Sequence, residues 1–334
     1  MHEDDAGSRI GSDCGNLTVT LPATAPGTPI FLCAHLDTVP PIGGELLPVV
    51  VEGVVRNAGG TILGADNKAA VAVMIEAVRR VLVESRPHAG IELLLTLQEE
   101  VSLGGARELD LERVTARVGF VYDQAGPIGE VILGAPHQTG ADLVFHGRAS
   151  HAGMFPELGR SAIAAAAKTI AALRLGRLDA ETTANVGVID GGTALNVVPE
   201  RCRVRVDLRS HDEAKLTALV QEVLNSAAWA ANEGGCTLEA TVYETCPGYR
   251  VAADAGPVRL ARAALRRAGY EPRLARTGGG ADTNVLARRG CRCVTLSNGM
   301  EGIHTADEHI SVADLEGMVE VTLALVDVAR EGGF

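Results

Sequence analysis

Aromatic residues are scarce in this chain of 334 residues, at 3% of the composition, whereas apolar residues make up 46%. The core must therefore be built from small aliphatic side chains. The apolar content, with 22% charged residues, excludes an intrinsically disordered chain. The length is greater than one hydrophobic core usually serves, which favours two domains.

Positive charge is also in short supply, with 30 Lys and Arg against 42 Asp and Glu and a formal net charge of −12. Nucleic acids and anionic membranes attract clustered Lys and Arg, so the sequence disfavours both as partners. The most apolar helical segment, Ser161 to Leu173, is interrupted by Lys168 and is too short to span a bilayer. The N-terminal residues lack the basic start and apolar run of a signal peptide.

Paired cysteine motifs are missing. The seven cysteines are an odd number and form no Cys-x-x-Cys pair, which argues against a disulfide framework and a thiolate zinc site. This usage is typical of a reducing compartment and predicts a cytoplasmic protein. No Gly-rich phosphate loop opens a helix after an early strand, which argues against a nucleotide-binding protein.

Alternating strands and helices predict an α/β sheet in the outer parts of the chain. The strands are expected at Leu17 to Leu21, Ile30 to Leu36, Ile91 to Leu97, Val118 to Tyr122 and Glu130 to Leu133, with helices at Lys68 to Val83 and Val312 to Arg330. Between them the order changes to strand, helix, two strands, helix, strand, which is the ferredoxin-like pattern. We therefore predict an α/β domain from residues 1–136 and 247–334, interrupted by an α+β domain at residues 137–246.

Acids and histidines stand at several predicted strand ends. His35 and Asp37 end one strand, and Glu99 with Glu100 follows a strand that is apolar throughout. Asp123 ends a third. Ligands of open α/β sheets bind at the carboxyl ends of the strands, so these side chains are expected to converge.

Two further candidates lie in turns. Asp66 follows a Gly-rich turn and precedes a helix, and His304 lies before the last helix. On local sequence alone, Asp66 is more simply explained as a helix N-cap, which Asp favours strongly. His-x-Asp at positions 35–37 is likewise a weak motif by itself.

The ordered set of motifs resembles the co-catalytic zinc peptidases, a group that includes peptidase T, carboxypeptidase G and aminoacylase. The matching segments are Ala34-His-Leu-Asp-Thr38, Gly64-Ala-Asp-Asn-Lys-Ala69, Gln98-Glu-Glu100 and His304-Thr-Ala-Asp-Glu308. Gly147-Arg-Ala-Ser-His-Ala-Gly153 extends the match into the inserted domain. Thr61 to Lys68 and Gly278 to Asn284 look most like the peptidase T branch.

The resemblance implies a zinc-peptidase domain with a mixed sheet flanked by helices, and an inserted lid domain. It further implies two Zn²⁺ per chain, bridged by Asp66. His35 and Asp123 would complete one site, and Glu100 and His304 the other. His/carboxylate sets of this kind also suit Co²⁺ or Mn²⁺.

Catalytic roles follow from the same resemblance. Glu99 would be the general base for a zinc-bridging hydroxide, and Asp37 would hold His35. His151, on the inserted domain, would help to stabilise the oxyanion. The lid is expected to pair two chains into a homodimer.

Substrate contacts are implied for Asn196 and Arg209, which match lid positions that grip the substrate backbone or carboxylate. The Gly278 to Gly280 turn has two interpretations of equal weight, a loop that caps a helix or an anion-binding helix start in which Gly279 and Gly280 contact the substrate. This chain departs from the family in two places. Only about fifteen residues precede Asn16, where relatives have a helix and a strand, and Ala281 stands where relatives have a serine.

Three functions remain open at this point. The peptidase T branch favours aminopeptidase action on di- and tripeptides. An N-acyl amino acid deacylase would use the same di-zinc site on acyl-amino-acid substrates. A catalytically silent, zinc-stabilised binding protein would be expected to lack Glu99 or a ligand, and all of these residues are present.

Overall fold

The computed structural model describes residues 1–332, so the last two residues of the predicted 247–334 segment lie outside it. The chain separates into two compact units. The larger unit comprises Met1–Ala135 and Tyr249–Phe334, and the inserted unit comprises Pro136–Gly248.

The larger unit begins with β1 His2–Glu3, α1 Ala6–Ile10, β2 Leu17–Leu21, β3 Ile30–His35, β4 Pro48–Val51, β5 Val54–Asn57, α2 Ala65–Val83, β6 Ile91–Thr96, α3 Gly104–Glu108, β7 Val118–Gln124, β8 Glu130–Ile132 and β9 Gly134–Ala135. The inserted unit contains β10 His137–His146, a 3-10 turn at Pro156–Leu158, α4 Ala162–Ala172, β11 Gly176–Arg177, β12 Thr182–Gly191, β13 Arg201–Ser210, α5 Glu213–Glu233 and β14 Thr237–Cys246. The larger unit resumes with β15 Tyr249–Arg250, α6 Gly256–Arg267, β16 Arg273–Ala275, α7 Asp282–Arg288, β17 Arg292–Ser297, β18 His309–Ser311 and α8 Val312–Glu331.

The main sheet has eight strands in the order β1-β2-β6-β3-β7-β17-β8-β16. Its central strands β6, β3, β7 and β17 run parallel to one another, whereas β2 pairs with β6 and β8 pairs with β17 in antiparallel fashion. The sheet is therefore mixed. The parallel centre places the carboxyl ends of β6, β3 and β7 side by side.

Helices cover both faces of this sheet because its central strands are apolar on both sides. Leu32 packs with α2, α6 and α8 in the main core, while its neighbours Phe31 and Cys33 face a second cluster that includes Leu286 of α7. This alternation is the two-residue period of a strand. The core is mostly aliphatic, with Phe120 and Tyr122 among the few buried aromatics.

The inserted unit is a five-stranded antiparallel sheet in the order β11-β12-β13-β10-β14. Leu143 and Phe145 of β10 and Val204 of β13 are buried in one cluster with residues of α4 and α5. Intervening residues such as Arg203 project from the other face, where Arg203 pairs with Asp142. The sequence alternates apolar and polar residues accordingly.

A third, three-stranded sheet in the order β18-β5-β4 belongs to the larger unit. These strands were not predicted from the sequence. Its edge strand β4 is exposed along its whole length. No helix among residues 1–332 has the length and apolarity needed to cross a membrane.

Candidate metal centre and active site

The parallel centre of the main sheet brings four predicted site residues to one edge. His35 ends β3 and lies in register with Thr96 of β6, so the loop after β6 places Glu99 and Glu100 beside it. Asp123 lies near the end of β7, the neighbour of β3 on its other side. One donor atom each from His35, Glu99 and Asp123 lie within 4.8 Å of one another. The predicted convergence at the strand ends therefore occurs.

Asp66 joins the two halves of this cluster. Its Oδ1 lies 3.0 Å from Nε2 of His35, and its Oδ2 lies 3.2 Å from Nε2 of His304. His304 Nε2 is also 3.0 Å from Oε1 of Glu100, and Asp123 Oδ1 is 3.6 Å from Nε2 of His35. Each oxygen of one carboxylate thus faces a different imidazole.

The N-cap interpretation of Asp66 is wrong. The residue that caps α2 is Gly64, whose φ of 77° lies in the left-handed region, and the cap makes no side-chain hydrogen bond. Asp66 itself has non-helical backbone angles inside the first turn. Its carboxylate is directed to the two histidines rather than to the helix.

Asp37 contacts His35 at Nδ1, on the opposite side of the ring from Nε2. His35 Nδ1 lies 3.0 Å from the carbonyl oxygen of Asp37 and 3.4 Å from its carboxylate, which leaves Nε2 to face Asp66 and Asp123. The carboxylate of Asp37 also accepts hydrogen bonds from the backbone N–H groups of Glu99, at 3.0 Å, and Glu100, at 3.1 Å. Asp37 therefore fixes the loop that carries both glutamates as well as the histidine.

Glu308 is the buried last residue of the His304 to Glu308 motif, and the sequence predicted no role for it. Its Oε2 accepts hydrogen bonds from the N–H groups of Leu63 and Gly64, at 2.8 and 2.7 Å, and its Oε1 accepts one from Asp66, at 2.8 Å. This carboxylate ties the turn before α2 to the segment that carries His304. His304 itself has a φ of 63°, a conformation that non-glycine residues rarely adopt unless their surroundings hold them there.

Asp282, which lies within the Gly278 to Asn284 segment, is a second residue for which the sequence predicted no role. It is buried, and its carboxylate accepts hydrogen bonds from Thr96 of β6 and Cys33 of β3. Burial raises the pKa of this carboxyl to about 6. Asp282 therefore contacts β3, which carries His35, and the end of β6, which precedes the loop with the two glutamates. The only sequence signal is its position after the Gly278 to Gly280 turn.

The buried carboxylates strongly change one another's pKa values. Burial, together with the negative charge of Asp123, raises the pKa of Glu99 well above its ordinary value. Burial also raises the pKa of Asp123 and of Glu100. A carboxylate with a raised pKa accepts a proton more readily than an ordinary carboxylate does, which favours a role as general base.

The same surroundings change the pKa values of the two imidazoles. Burial lowers the pKa of His35, but hydrogen bonds to Asp123, Asp37 and Asp66 outweigh burial and hold it well above the ordinary value. The hydrogen bond to Asp66 raises the pKa of His304 to about 9. In turn, burial opposes ionisation of Asp66, yet the two histidines keep its pKa low. Without a metal ion, the two imidazoles are therefore the cationic partners of the Asp66 carboxylate.

The donor set fits divalent metal ions. His35 with Asp123, and His304 with Glu100, flank the two oxygens of Asp66. Imidazole and carboxylate donors in this combination suit zinc. The charge of a buried cluster of carboxylates must be compensated by protons or by cations, and divalent metal ions are suited to supply that compensation. These residues could hold two ions with Asp66 between them.

His151 and Asn196 lie next to each other on the inserted unit. His151 forms an isolated β-bridge with Val197, and the N–H of Ala152 donates to the carbonyl of Asn196 at 2.9 Å. His151 Nδ1 accepts hydrogen bonds from the N–H groups of Gly153 and Met154, so the ring proton resides on Nε2. The imidazole is exposed rather than packed in the core, with a hydrogen-bond donor at its tip.

The remaining predicted substrate contacts belong to different units, Arg209 to the inserted unit and the Gly279-Gly280 turn to the larger unit. Arg209 lies on β13 and forms an ion pair with Asp207, with 2.8 Å between the two side chains. Gly279 and Gly280 precede α7, and the N–H of Gly279 donates to Oγ1 of Thr277.

The fold and its cluster of carboxylates and imidazoles define a metal-dependent peptidase. Two family profiles match the chain, one described as "Peptidase family M28" over residues 16–150 and one as "Peptidase dimerisation domain" over residues 137–234. The first covers His35, Asp66, Glu99, Glu100 and Asp123. The second covers most of the inserted unit.

Individual relatives narrow the class. The sequence of this chain is 39% identical to that of aminopeptidase PepT from Bacillus cereus ATCC 10987. The crystal structure of that protein matches this one with a TM-score of 0.88, and the match covers 98% of this chain and 88% of that chain. This chain is 32% identical to a tripeptidase from Staphylococcus aureus subsp. aureus Mu50, with a TM-score of 0.93 over 99% and 88% of the two chains. It is 37% identical to uncharacterized protein YqjE of Bacillus subtilis (strain 168), over 99% of this chain and 89% of that protein.

The dimerisation-domain profile is that of the M20 peptidases. The chain therefore belongs to the peptidase T-like M20 family of metallopeptidases. This membership confirms the resemblance, the α/β fold class with its inserted domain, and the prediction of a peptide-hydrolysing metalloenzyme. The roles of individual residues, which the resemblance implied, stay predictions.

Proposed function

We propose that the protein is an aminopeptidase that removes the N-terminal residue from di- and tripeptides. The observation that carries the proposal is the Asp66 carboxylate, which faces His35 with one oxygen and His304 with the other, at 3.0 and 3.2 Å. The relatives described as an aminopeptidase and a tripeptidase support this substrate class.

Two Zn²⁺ ions held by this cluster would polarise the scissile carbonyl and lower the pKa of a bound water to about 7. We assign His35 and Asp123 to one ion, His304 and Glu100 to the other, and Asp66 to both. Co²⁺ or Mn²⁺ would suit the same donors.

Glu99 acts as the general base in this proposal. Its carboxylate lies beside His35 and Asp123 and has a raised pKa, so it can accept a proton from the attacking water. The water oxygen bonds to the carbonyl carbon, and the C–N bond then breaks. The departing nitrogen keeps the electron pair of that bond and receives the proton from Glu99.

His151 is assigned to the oxyanion. Because its Nδ1 accepts two backbone hydrogen bonds, its Nε2–H is fixed as a donor of the kind that stabilises developing negative charge. Asn196, its neighbour on the inserted unit, is assigned to the substrate backbone, and Arg209 or the Gly279-Gly280 turn to the substrate carboxylate.

We also propose that the protein forms a homodimer through the inserted unit and functions in the cytoplasm. The match to a peptidase dimerisation domain supports the first point, and the seven unpaired cysteines support the second. Sedimentation equilibrium that yields a single-chain mass of 34.7 kDa at micromolar concentration would rule out a stable dimer.

The aminopeptidase proposal is tested by liquid chromatography with mass detection. Zinc-loaded protein is incubated with Leu-Gly-Gly, with its N-acetylated form and with its C-terminal amide. We expect release of free leucine from the first, none from the acetylated peptide and slower release from the amide.

The deacylase alternative is examined in the same assay. N-acetyl-leucine and N-succinyl-leucine present an amide carbonyl to the same cluster without a free ammonium. Faster hydrolysis of either compound than of any tripeptide would establish a deacylase and refute the aminopeptidase proposal.

A further inference from the structure

Glu99 and Glu100 lie on a closed loop that follows β6 and spans residues 97–105. Three backbone hydrogen bonds of 2.8 or 2.9 Å join its two sides, donated by residues 103, 104 and 105 to the carbonyl groups of residues 99, 98 and 97 respectively. The loop is closed at its base by Leu97 and Gly105. Whatever fixes this base therefore also fixes where the two glutamates lie.

The loop has a backbone conformation that its own sequence does not favour. Gln98, Ser102 and Leu103 have φ angles of 50°, 61° and 59°, in the left-handed region that residues other than glycine rarely adopt. Such a conformation persists only where the surrounding structure holds it. The positions of both glutamates therefore depend on contacts between this loop and other segments of the chain.

Asn16, which directly precedes β2, bridges the base of the loop. Its side chain is fully buried. Oδ1 accepts a hydrogen bond from the N–H of Leu97 at 3.2 Å, and Nδ2 donates to the carbonyl of Gly105 at 3.1 Å. The packing is close, because a Cβ atom at Gly105 would lie 2.6 Å from Asn16 Oδ1 and 2.1 Å from the carbonyl oxygen of Leu97. One side chain thus contacts both ends of the loop.

Asp4 orients Asn16. Its Oδ2 accepts a hydrogen bond from Asn16 Nδ2 at 2.9 Å, and its Oδ1 accepts one from the backbone N–H of Asn16 at 2.8 Å. The N–H of Asp4 in turn donates to the carbonyl of Asn16 at 3.0 Å. An amide nitrogen carries two hydrogens, and Asn16 uses one for Asp4 and the other for Gly105. The side chain of Asn16 therefore has one orientation.

We propose that Asn16, oriented by Asp4, is a positioning residue for the loop that carries Glu99 and Glu100. This inference rests on the roles proposed above for the two glutamates, as general base and as metal ligand. Asn16 acts through the backbone of Leu97 and Gly105 rather than through contact with a metal ion or the substrate.

Asn16→Ala removes the bridge between the two ends of the loop. We expect kcat for Leu-Gly-Gly to fall on the order of 10- to 100-fold, the range for groups that orient a metal ligand, with little change in KM. Zinc affinity, measured by competition with a chromophoric chelator, should fall by a similar factor because Glu100 is displaced.

Glu92→Gln is the matched control on the same strand. Glu92 is buried near the start of β6, and its carboxylate accepts hydrogen bonds from the N–H groups of Thr115 and Ala116 and from Oγ1 of Thr115. This variant should unfold at a lower urea concentration than the parent protein but retain its kcat and zinc affinity. If Asn16→Ala loses no more of either than Glu92→Gln does, Asn16 has only a structural role and the inference is overturned.

Asp4→Asn provides the test if Asn16→Ala does not fold. The side chain keeps its size but has one acceptor oxygen instead of two, so fewer hydrogen bonds orient Asn16. We expect kcat and zinc affinity to fall on the order of tenfold. Unchanged values of both in Asp4→Asn would contradict the proposal.

Hydrogen exchange measured by mass spectrometry distinguishes failure of this inference from failure of the proposed function. In the metal-free protein, the amides of residues 98–103 should exchange faster in Asn16→Ala or Asp4→Asn than in the parent protein or Glu92→Gln, because the loop opens more readily. This result, with the lower zinc affinity, supports the inference even if no tripeptide is cleaved. Equal exchange and equal zinc affinity in all these proteins would reject it whatever the substrate.

Discussion

Individual residues carry most of the chemistry proposed here, and neighbouring glutamates differ in what they can do. Glu99 lies beside His35 and Asp123, while Glu100 contacts His304 at 3.0 Å. Sequence alone could identify the pair but could not separate a base from a ligand. The structure provides the asymmetry, since only the Glu100 side chain makes this imidazole contact.

Glu99→Gln removes the proton acceptor but retains the size and shape of the side chain. We expect kcat to fall by a factor on the order of 10² to 10⁴, with metal content unchanged in plasma emission analysis. Glu100→Gln is the matched variant and should lose metal instead. Near-normal turnover of Glu99→Gln would show that the base and ligand roles are assigned incorrectly.

The stability of the metal-free protein is expected to depend on pH because of His304. Its pKa is raised to about 9 from an ordinary value of 6.5 by its hydrogen bond to Asp66. A raised folded-state pKa contributes stability that is complete below the unfolded value and is lost as the pH rises through the folded value. The contribution should therefore be full below pH 6.5 and decline toward pH 9.

Thermal unfolding of chelator-treated protein measures this contribution. The Tm difference between the parent protein and His304→Gln should be largest at or below pH 6.5 and shrink toward pH 9. A His304→Gln difference that stays constant across this range would contradict the assignment of the His304–Asp66 contact.

At the scale of elements, the main strands and helices were largely predictable from sequence, since apolar runs such as Ile91–Thr96 and helical periodicity in Val312–Glu331 reflect burial directly. The hairpin of β4 and β5 was not predicted. Its strand Pro48–Val51 is exposed and shows no alternating burial, so the usual period of two is absent. The β-branched run on either side of Glu52-Gly53 was the available signal.

Asp66 shows why local sequence was insufficient at the start of α2. Asp is a favoured N-cap, but the backbone turns into the helix at Gly64, and contacts with two distant histidines decide where the carboxylate points. Neither histidine is close in sequence. Glu308, which accepts three backbone hydrogen bonds from the same turn, could not be assigned for the same reason.

Glu308→Gln tests this connection between the turn and the His304 segment. The amide keeps one acceptor oxygen but cannot satisfy all three N–H groups, and an unsatisfied buried donor costs about 1–3 kcal/mol. We expect urea unfolding of the metal-free protein to show a loss of that size. Glu301→Gln, on an exposed residue of the same segment, should unfold like the parent protein.

Substitution of His151 tests whether the inserted unit contributes to catalysis. We expect His151→Ala to lower kcat on the order of 10²- to 10³-fold, as removal of an oxyanion donor typically does, without loss of metal. His146→Ala, another exposed histidine of the same unit, should retain activity. Full activity of His151→Ala would remove the oxyanion assignment.

At the scale of the whole molecule, composition predicted a globular protein with an aliphatic core, and element order predicted an inserted α+β unit. The order β6-β3-β7 in the main sheet could not be derived from the sequence, because strand order depends on non-local pairing. That order brings His35, Glu99 and Asp123 together. The family resemblance identified the same residues through their motifs rather than through topology.

The central claim is that one cluster holds two metal ions with Asp66 between them. Crystals of the zinc-saturated protein, measured above and below the zinc absorption edge, test it most directly. We predict two anomalous peaks per chain, one near His35 and Asp123 and one near His304 and Glu100, with the Asp66 carboxylate between them. A single peak at full zinc saturation, with Asp66 in contact with one ion only, would contradict the account.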